Sequence, residues 1–304
     1  MHSTFLKSFI FISILFPLTS EAFIFYTWNL KHLGRERFST KNVASVLADS
    51  DMVVIQEVNT GIEGRTKLRE IRDAIKAIAG NENKNICMGI SKKPSEGKER
   101  YAMLWNQDEL VQTDEKANEI KCKENEFANL ELTTKHSDEI VREPAYVLVK
   151  HKKSGRAILV ATVHALPKTN GKTPEKEIPL IFESIDSEAV RIHHAQAKTE
   201  HNPLNMAIVA GDFNLSVRNK PFDKAKELGY LPVLTSGPNT SLKKNVRELS
   251  KPYDNVLLKV KGKKIHADAR VINLYNQFKE LEISTIYNNI SDHCPIRVDI
   301  NMNP

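Results

Sequence analysis

Five short apolar runs in this chain each lead into a polar or ionisable side chain. FIFYTWN (23–29) ends at Asn29, DMVVIQE (51–57) at Glu57, AILVATVH (157–164) at His164, and MAIVAGDFN (206–214) at Asp212 and Asn214. The fifth, PIRVDI (295–300), follows closely on Ser291, Asp292 and His293. Runs this short, rich in Val and Ile, read as buried strands. Between them the period changes. Residues 37–49 carry Phe38, Val43, Val46 and Leu47 at helical spacing, and 66–79 repeat Leu68, Ile71, Ile75 and Ile78, the pattern of an amphipathic helix lying on a sheet. Further strands are predicted at 86–90 and 100–106, with a hairpin of 145–151 and 156–164 turned by KKSGR. A long helix over 176–197, a short one over 221–228 and strands over 254–260 and 265–272 complete the pattern, while the polar stretch 107–140 shows no period. Helices between some strands and hairpins between others imply mixed sheets covered by helices.

Polar residues at strand ends are ordinary turn signals when taken singly. Five together are different, because Glu57 and His164 are poor turn formers and follow VVIQ and VATV directly. In layered α/β folds a rigid sheet fixes the backbone at strand ends while the loops beyond open to solvent, so ligands gather there. The five ends therefore predict an active site.

At 304 residues and 40% hydrophobic content the chain can bury a large core. No linker or internal repeat divides it, and the Lys-rich stretches 92–100, 121–126 and 259–264 read as solvated loops. Met1–Ala22 has another character: Lys7 supplies positive charge, Phe9 to Leu18 form a short apolar run, and Ser20-Glu21-Ala22 offers small residues for cleavage. This is the pattern of a secretory signal peptide, implying a secreted or periplasmic protein with one domain over 23–304. An uncleaved anchor is the alternative; the run is short for a membrane span. Cleavage would remove Lys7 and Glu21 together and leave the formal charge of +6. A basic exported protein attracts polyanions, among them nucleic acid, anionic lipid and acidic glycan. Three cysteines without short spacings argue against a Cys-pair zinc site. Export permits a disulfide, with Cys87 and Cys122 the better pair and Cys294 a buried thiol; three free thiols remain the other reading.

Glu57 is the leading candidate for a hard-cation ligand, since Mg²⁺ takes oxygen donors and is commonly held by one or two carboxylates with phosphate and water. Asn29, Asp212, Asn214 and Asp292 can fill the remaining places, an Asn being able to donate to a phosphate oxygen that a second carboxylate would repel. His164 and His293 suit proton transfer near neutral pH. His193, His194 and His201 sit on a predicted helix face and the turn after it, and read as solvated surface.

TWNL (27–30), VIQEV (54–58), KERY (98–101), REPA (142–145), VHALP (163–167), GDFN (211–214), PYDN (252–255) and SDHCP (291–295) run in an order that resembles the endonuclease/exonuclease/phosphatase superfamily. The chain is most similar within it to the deoxyribonuclease I family, through KERY, REPA and the Tyr-Asp of PYD. The resemblance spans residues 24–300 and implies a four-layered α/β/β/α sandwich of two mixed sheets. It implies that Glu57 is the principal Mg²⁺ ligand with Asn29 beside it, Mn²⁺ being a possible substitute. Asp212, Asn214 and Asp292 complete the metal and phosphate site. Glu99 would bond His164, Asp254 would orient His293, and Arg142 would bind phosphate through its fork of donors. One imidazole would activate water and the other protonate the leaving oxygen, His293 being favoured as base and His164 as acid.

The departures concern substrate. Val58-Asn59-Thr60 stands where an arginine reaching the minor groove is expected, and Gly97 where an aromatic residue is expected before KERY. Segment 235–251, rich in Lys and Asn, lacks the acidic ligand set of a structural Ca²⁺ site. The stretch 107–140 is longer than the nuclease pattern. The resulting expectation is a monomeric, Mg²⁺-dependent endonuclease acting on DNA with little sequence preference. The alternatives are a sphingomyelinase-like lipid hydrolase, a genotoxin nuclease subunit, and a non-catalytic nucleic-acid-binding module.

Overall fold

A computed structural model describes residues 22–92, 99–123, 126–133, 135–136, 138–168, 173–199, 202–262 and 265–302. The leader expected at Met1–Ala22, except for Ala22 itself, lies outside these residues, as do Gly97 and His201. The first half of the chain forms β1 (Phe23–Leu33), α1 (Thr40–Leu47), β2 (Met52–Asn59), α2 (Ile62–Lys76), β3 (Ile86–Ser91) and β4 (Glu99–Asn106). β5 (Leu110–Thr113), β6 (Glu119–Ile120) and β7 (Phe127–Leu132) follow, then the hairpin β8 (Ala145–His151) and β9 (Ala157–His164). After α3 (Pro174–Gln196) come β10 (Met206–Asp212), α4 (Asp223–Glu227), β11 (Leu231–Pro232), β12 (Asp254–Val260), β13 (Ala267–Val271) and β14 (Ile296–Ile300).

The strands are mixed, as predicted: β1 runs parallel to β2 and β9 to β10, while most other neighbours are antiparallel. They form one continuous 14-stranded sheet in the order β11-β12-β10-β9-β8-β7-β3-β4-β2-β1-β14-β13, with β5 and β6 off this path, β5 pairing with β8 and β6 with β5. The two mixed sheets expected are the two halves of this sheet. β7 joins them, pairing with β3 from Phe127 to Leu130 and with β8 through Glu131 and Leu132. The sheet curls so that its halves face each other.

Strand parity builds the layers. In β1, Phe23 and Phe25 point into the space between the halves, while Tyr26, Trp28 and Leu30 pack with Val43, Leu47, Leu68 and Ile71 of α1 and α2. In β9, Ile158 and Val160 point inward, while Leu159, Ala161 and Val163 pack with Ile178, Phe182 and Ile185 of α3. These central strands are apolar on both faces because each face is covered, hence their unbroken hydrophobic runs. α2 starts at Ile62, four residues earlier than the apolar period implied, after an extended Gly61.

The structure resolves the cysteine alternatives. Cys87 and Cys122 form a disulfide with Cα atoms 6.0 Å apart, and Cys294 is a buried free thiol. The bond ties the stretch without period to β3. Among the described residues, no helix is long and apolar enough to cross a membrane.

Candidate active site

The parity that builds the central core also aims its last residues. Continuing the inward face of β1 past Phe25 gives Thr27 and Asn29; of β9 past Val160, Thr162 and His164; of β10 past Ile208, Ala210 and Asp212. β12 reaches Asp254 from Val256, and β4 reaches Glu99 from Met103 and Tyr101. All five residues thus come to one end of the cleft between the halves. Gln56 closes the floor beneath them, donating its amide to Thr27 Oγ1 (3.2 Å) and Thr162 Oγ1 (2.7 Å).

Glu57 does not fit this parity. Met52 and Val54 face inward with Gln56, so a regular strand would turn Glu57 toward the helices. Its backbone is instead left-handed, with φ of 59°, at a register shift between Ile55 and Val58. Such a conformation costs a non-glycine residue on the order of 1–3 kcal/mol and persists only where the surroundings impose it. Here it brings Glu57 Oε1 within 2.8 Å of Asn29 Nδ2. Gly211 shows a second constraint: with φ of 149°, a Cβ there would lie 1.9 Å from the Val163 carbonyl oxygen. This contact sets Asp212 beside His164 in the parallel β9–β10 ladder.

At the centre, Asn29 donates to both Glu57 Oε1 and Asp212 Oδ2 (3.0 Å). Asp212 Oδ2 lies 3.7 Å from the Nε2 atoms of both His164 and His293. Each imidazole is held from behind, His164 Nδ1 by Glu99 at 2.9 Å and His293 Nδ1 by Asp254 at 2.8 Å. Thr240 fixes Asp254 with a 2.6 Å hydrogen bond, and the Tyr101 hydroxyl accepts the backbone N–H of His164. Ser291 donates to the Asn29 carbonyl at 2.6 Å and accepts from the His293 backbone N–H.

Burial opposes charge on His293, but Asp254 and Asp212 outweigh it and raise its pKa to about 10. Burial likewise pushes Glu99 upward; the hydrogen bond and charge of His164, with Arg142 and His32, bring it below its ordinary value. Arg142 is buried, with Nη2 3.6 Å from Glu99 Oε2, while its Nε and Nη1 have no hydrogen-bond partner among the described residues. Buried donors in that state suit an anionic ligand.

Asn214 has φ of 50°, donates its backbone N–H to Asp212 Oδ1, and donates Nδ2 to the Ala165 carbonyl. It stands at the site with one amide hydrogen bond committed to the scaffold. Asp292 pairs with Lys31 Nζ at 3.1 Å and accepts from the Tyr287 hydroxyl. It stands outside the two groups among the described residues whose ligand atoms have metal-binding spacing, which are His32, Glu57 and Glu99, and Asp212, Asp254 and His293. The donors fit a divalent cation, since Glu57 and Asp212 bring two carboxylates to one shared amide, that of Asn29, with the backbone N–H groups of His32 and Asn214 as their further donors. In the second group His293 Nδ1 and Asp254 are engaged with each other, which leaves Nε2 and Asp212 facing the cleft. Pairing hard oxygens with two carboxylate-backed imidazoles equips the cleft for metal-assisted phosphoester cleavage.

Thr240, Tyr101, Ser291, Lys31 and His32 were not assigned roles from the sequence. Tyr101 closes the KERY motif and Ser291 opens SDH, so their positions carried a signal; Thr240 lies in a polar loop that carried none. His194 is exposed, as read, and His193 bonds the Leu204 carbonyl.

No protein-family model matches the sequence, and a search of curated proteins finds no match. Solved structures do match. An endonuclease/exonuclease/phosphatase family protein from Bacteroides thetaiotaomicron is 13% identical with a TM-score of 0.58, covering 92% of this chain and 94% of that one. D. rerio TDP2 complexed with single strand DNA product is 15% identical with a TM-score of 0.55, covering 91% and 98%. The Bacteroides thetaiotaomicron mannosyl-6-phosphatase is 14% identical with a TM-score of 0.57, covering 92% and 99%. The fold is that of the endonuclease/exonuclease/phosphatase structures. These neighbours are spread across that superfamily and do not single out the deoxyribonuclease I family.

Proposed function

We propose that this chain is a divalent-metal-dependent phosphodiesterase that cleaves DNA endonucleolytically. The observation that carries the reading is the symmetry about Asp212: two Nε2 atoms each 3.7 Å from one carboxylate oxygen, each imidazole backed by its own acid. Hydrolysis needs a proton taken from water on one side of phosphorus and given to the leaving oxygen on the other. Two imidazoles flanking one point meet that need. His293, backed by Asp254, is read as the base and His164, backed by Glu99, as the acid; the base must first give up the proton that Asp254 and Asp212 hold on it in the metal-free protein. Mg²⁺ or Mn²⁺ held by Glu57, Asn29 and Asp212 would neutralise phosphate charge and polarise the P–O bonds. Arg142 and Asn214 would hold the non-bridging oxygens.

DNA as substrate is supported by the KERY and REPA motifs and the +6 charge. A second reading, a phosphomonoesterase, draws support from the mannosyl-6-phosphatase sharing this fold. The leader pattern supports an activity outside the cytoplasm, and an intact mass beginning near Phe23 in exported material tests that. The decisive assay incubates the purified mature chain with supercoiled plasmid, structured RNA, sphingomyelin and a sugar phosphate, with Mg²⁺ and with chelator. Plasmid nicking that chelator stops, and that a folded Glu57→Gln variant loses, is the expected result. Sugar-phosphate or sphingomyelin hydrolysis with intact DNA overturns it.

A further inference from the structure

β1 does not end at Asn29. It continues through Lys31 and His32, both with left-handed backbones (φ of 44° and 56°), to Leu33. This bend folds His32 back onto Glu57. Its backbone N–H donates to Glu57 Oε2 at 3.1 Å, and its Nδ1 lies 3.4 Å from the same oxygen. The Glu99 carboxylate completes a group whose ligand atoms all lie within 4.8 Å of one another. The His32 side chain is 61% exposed and that of Glu57 15%, so the imidazole stands at the mouth of the cleft over a largely enclosed carboxylate.

Two ligands bound at about 2.1 Å and at right angles on one cation stand about 3.0 Å apart. The 3.4 Å between His32 Nδ1 and Glu57 Oε2 differs from that by a few tenths of an ångström, which an exposed side chain can close. An imidazole changes what the centre prefers. Mg²⁺ takes oxygen and keeps its waters, whereas Mn²⁺, the weakest-binding of the first-row ions, tolerates a nitrogen ligand better than Mg²⁺ does and the later ions bind imidazole more strongly still.

We propose that His32 is a ligand of the cation held by Glu57, making this a mixed imidazole–carboxylate centre that favours Mn²⁺ and related transition ions over Mg²⁺. The proposal rests on the reading of Glu57 as a metal ligand and adds the selectivity of the site. Lys31 cannot play the same part, because its ammonium is committed to Asp292 and the Tyr287 carbonyl. Glu99 lends charge while holding His164.

The test uses the full mature chain, stripped of metal, with Mn²⁺ and Mg²⁺ as the probes. Equilibrium titration gives both affinities, and pulsed electron paramagnetic resonance of bound Mn²⁺ reports directly bonded nitrogen. The parent is expected to show imidazole nitrogen coupling that His32→Ala removes. Mn²⁺ affinity should fall about ten-fold or more in that variant, while Mg²⁺ affinity changes far less, so the preference for Mn²⁺ collapses. His32→Gln, which keeps the bulk and offers oxygen, should favour Mg²⁺ relative to the parent. Coupling that persists in His32→Ala, or equal losses for both metals, overturns the proposal. Glu57→Gln separates the two layers. If it loses Mn²⁺ while His32→Ala binds as the parent does, only the role of His32 fails; if it binds both metals normally, the metal reading fails with it.

Discussion

At the scale of the residue, the site is a set of side chains whose charges are legible only through their neighbours. His293 is the clearest case, because burial lowers its proton affinity and two carboxylates reverse the sign, taking the pKa from 6.5 to about 10. A histidine whose folded pKa lies above its unfolded value stabilises the fold fully below about pH 6.5. That contribution is lost as pH rises through about 10. Nitrogen NMR on the metal-free protein should therefore find the His293 ring protonated through neutral pH. Asp254→Asn should bring its titration down toward 6.5 and remove the alkaline loss of stability. A His293 ring that titrates near 6.5 in the parent would sink this account of the dyad. Asn29, Glu57, Glu99, His164, Asp212, Asp254 and His293 were readable because each is an unusual residue at the end of an apolar run or inside a recognisable motif. Thr240 was not, since its hydrogen bond to Asp254 spans a loop whose polarity says only that it is solvated. The left-handed turn at Lys31 and His32 was equally hidden, because Lys does not favour it and the enrichment of His there is too weak to mark a position.

At the scale of the element, a two-residue period does most of the work, and it succeeds or fails where the backbone keeps or breaks it. β9 and β10 keep it, so their hydrophobic runs showed both the strands and the side chains at their ends. β7 carries only one buried residue, Leu130, in FANLEL, and it escaped detection although it joins the two halves of the sheet. Gly211 is where the ladder tolerates nothing larger. Gly211→Ala must move the β9 carbonyl away from a contact of 1.9 Å at a φ of 149°, and should destabilise the protein by about 2 kcal/mol or more. Thermal unfolding together with turnover measures it, and a variant of parental stability would show that the ladder yields freely. The disulfide anchors the least regular region. Closing a loop of 35 residues restricts the unfolded chain by an amount worth up to about 4 kcal/mol in the chain-entropy account. Cys122→Ser should lower the denaturation midpoint, and reductant should lower the parent by the same amount and leave the variant unchanged. A parent indifferent to reductant would remove the bond from the stability of the fold.

At the scale of the whole molecule, the order of elements and the covered central strands were legible because hydrophobic period survives wherever both faces of a strand are buried. The substrate was less so. The groups proposed to hold a phosphate are Arg142 and Asn214, and phosphate contacts position a duplex without reading its bases. The molecule adds a net charge of +6, including Arg65 and Arg69 of α2, which flank the Phe127 ring, and Arg100, next to Glu99 on β4. Such a surface binds a polyanion by releasing its counterions, so affinity should fall about ten-fold or more between roughly 50 and 200 mM salt. Val58 is buried and Asn59 and Thr60 are half-buried at the position where a groove-entering arginine was expected. Cleavage should then depend little on groove width, and nicks on a duplex joining an A-tract to a mixed segment should fall on both at similar frequency. A narrow minor groove resists enzymes that must insert a side chain into it. Strong protection of the A-tract would mean that another part of the rim enters the groove, and binding insensitive to salt would mean that this basic surface does not face the substrate.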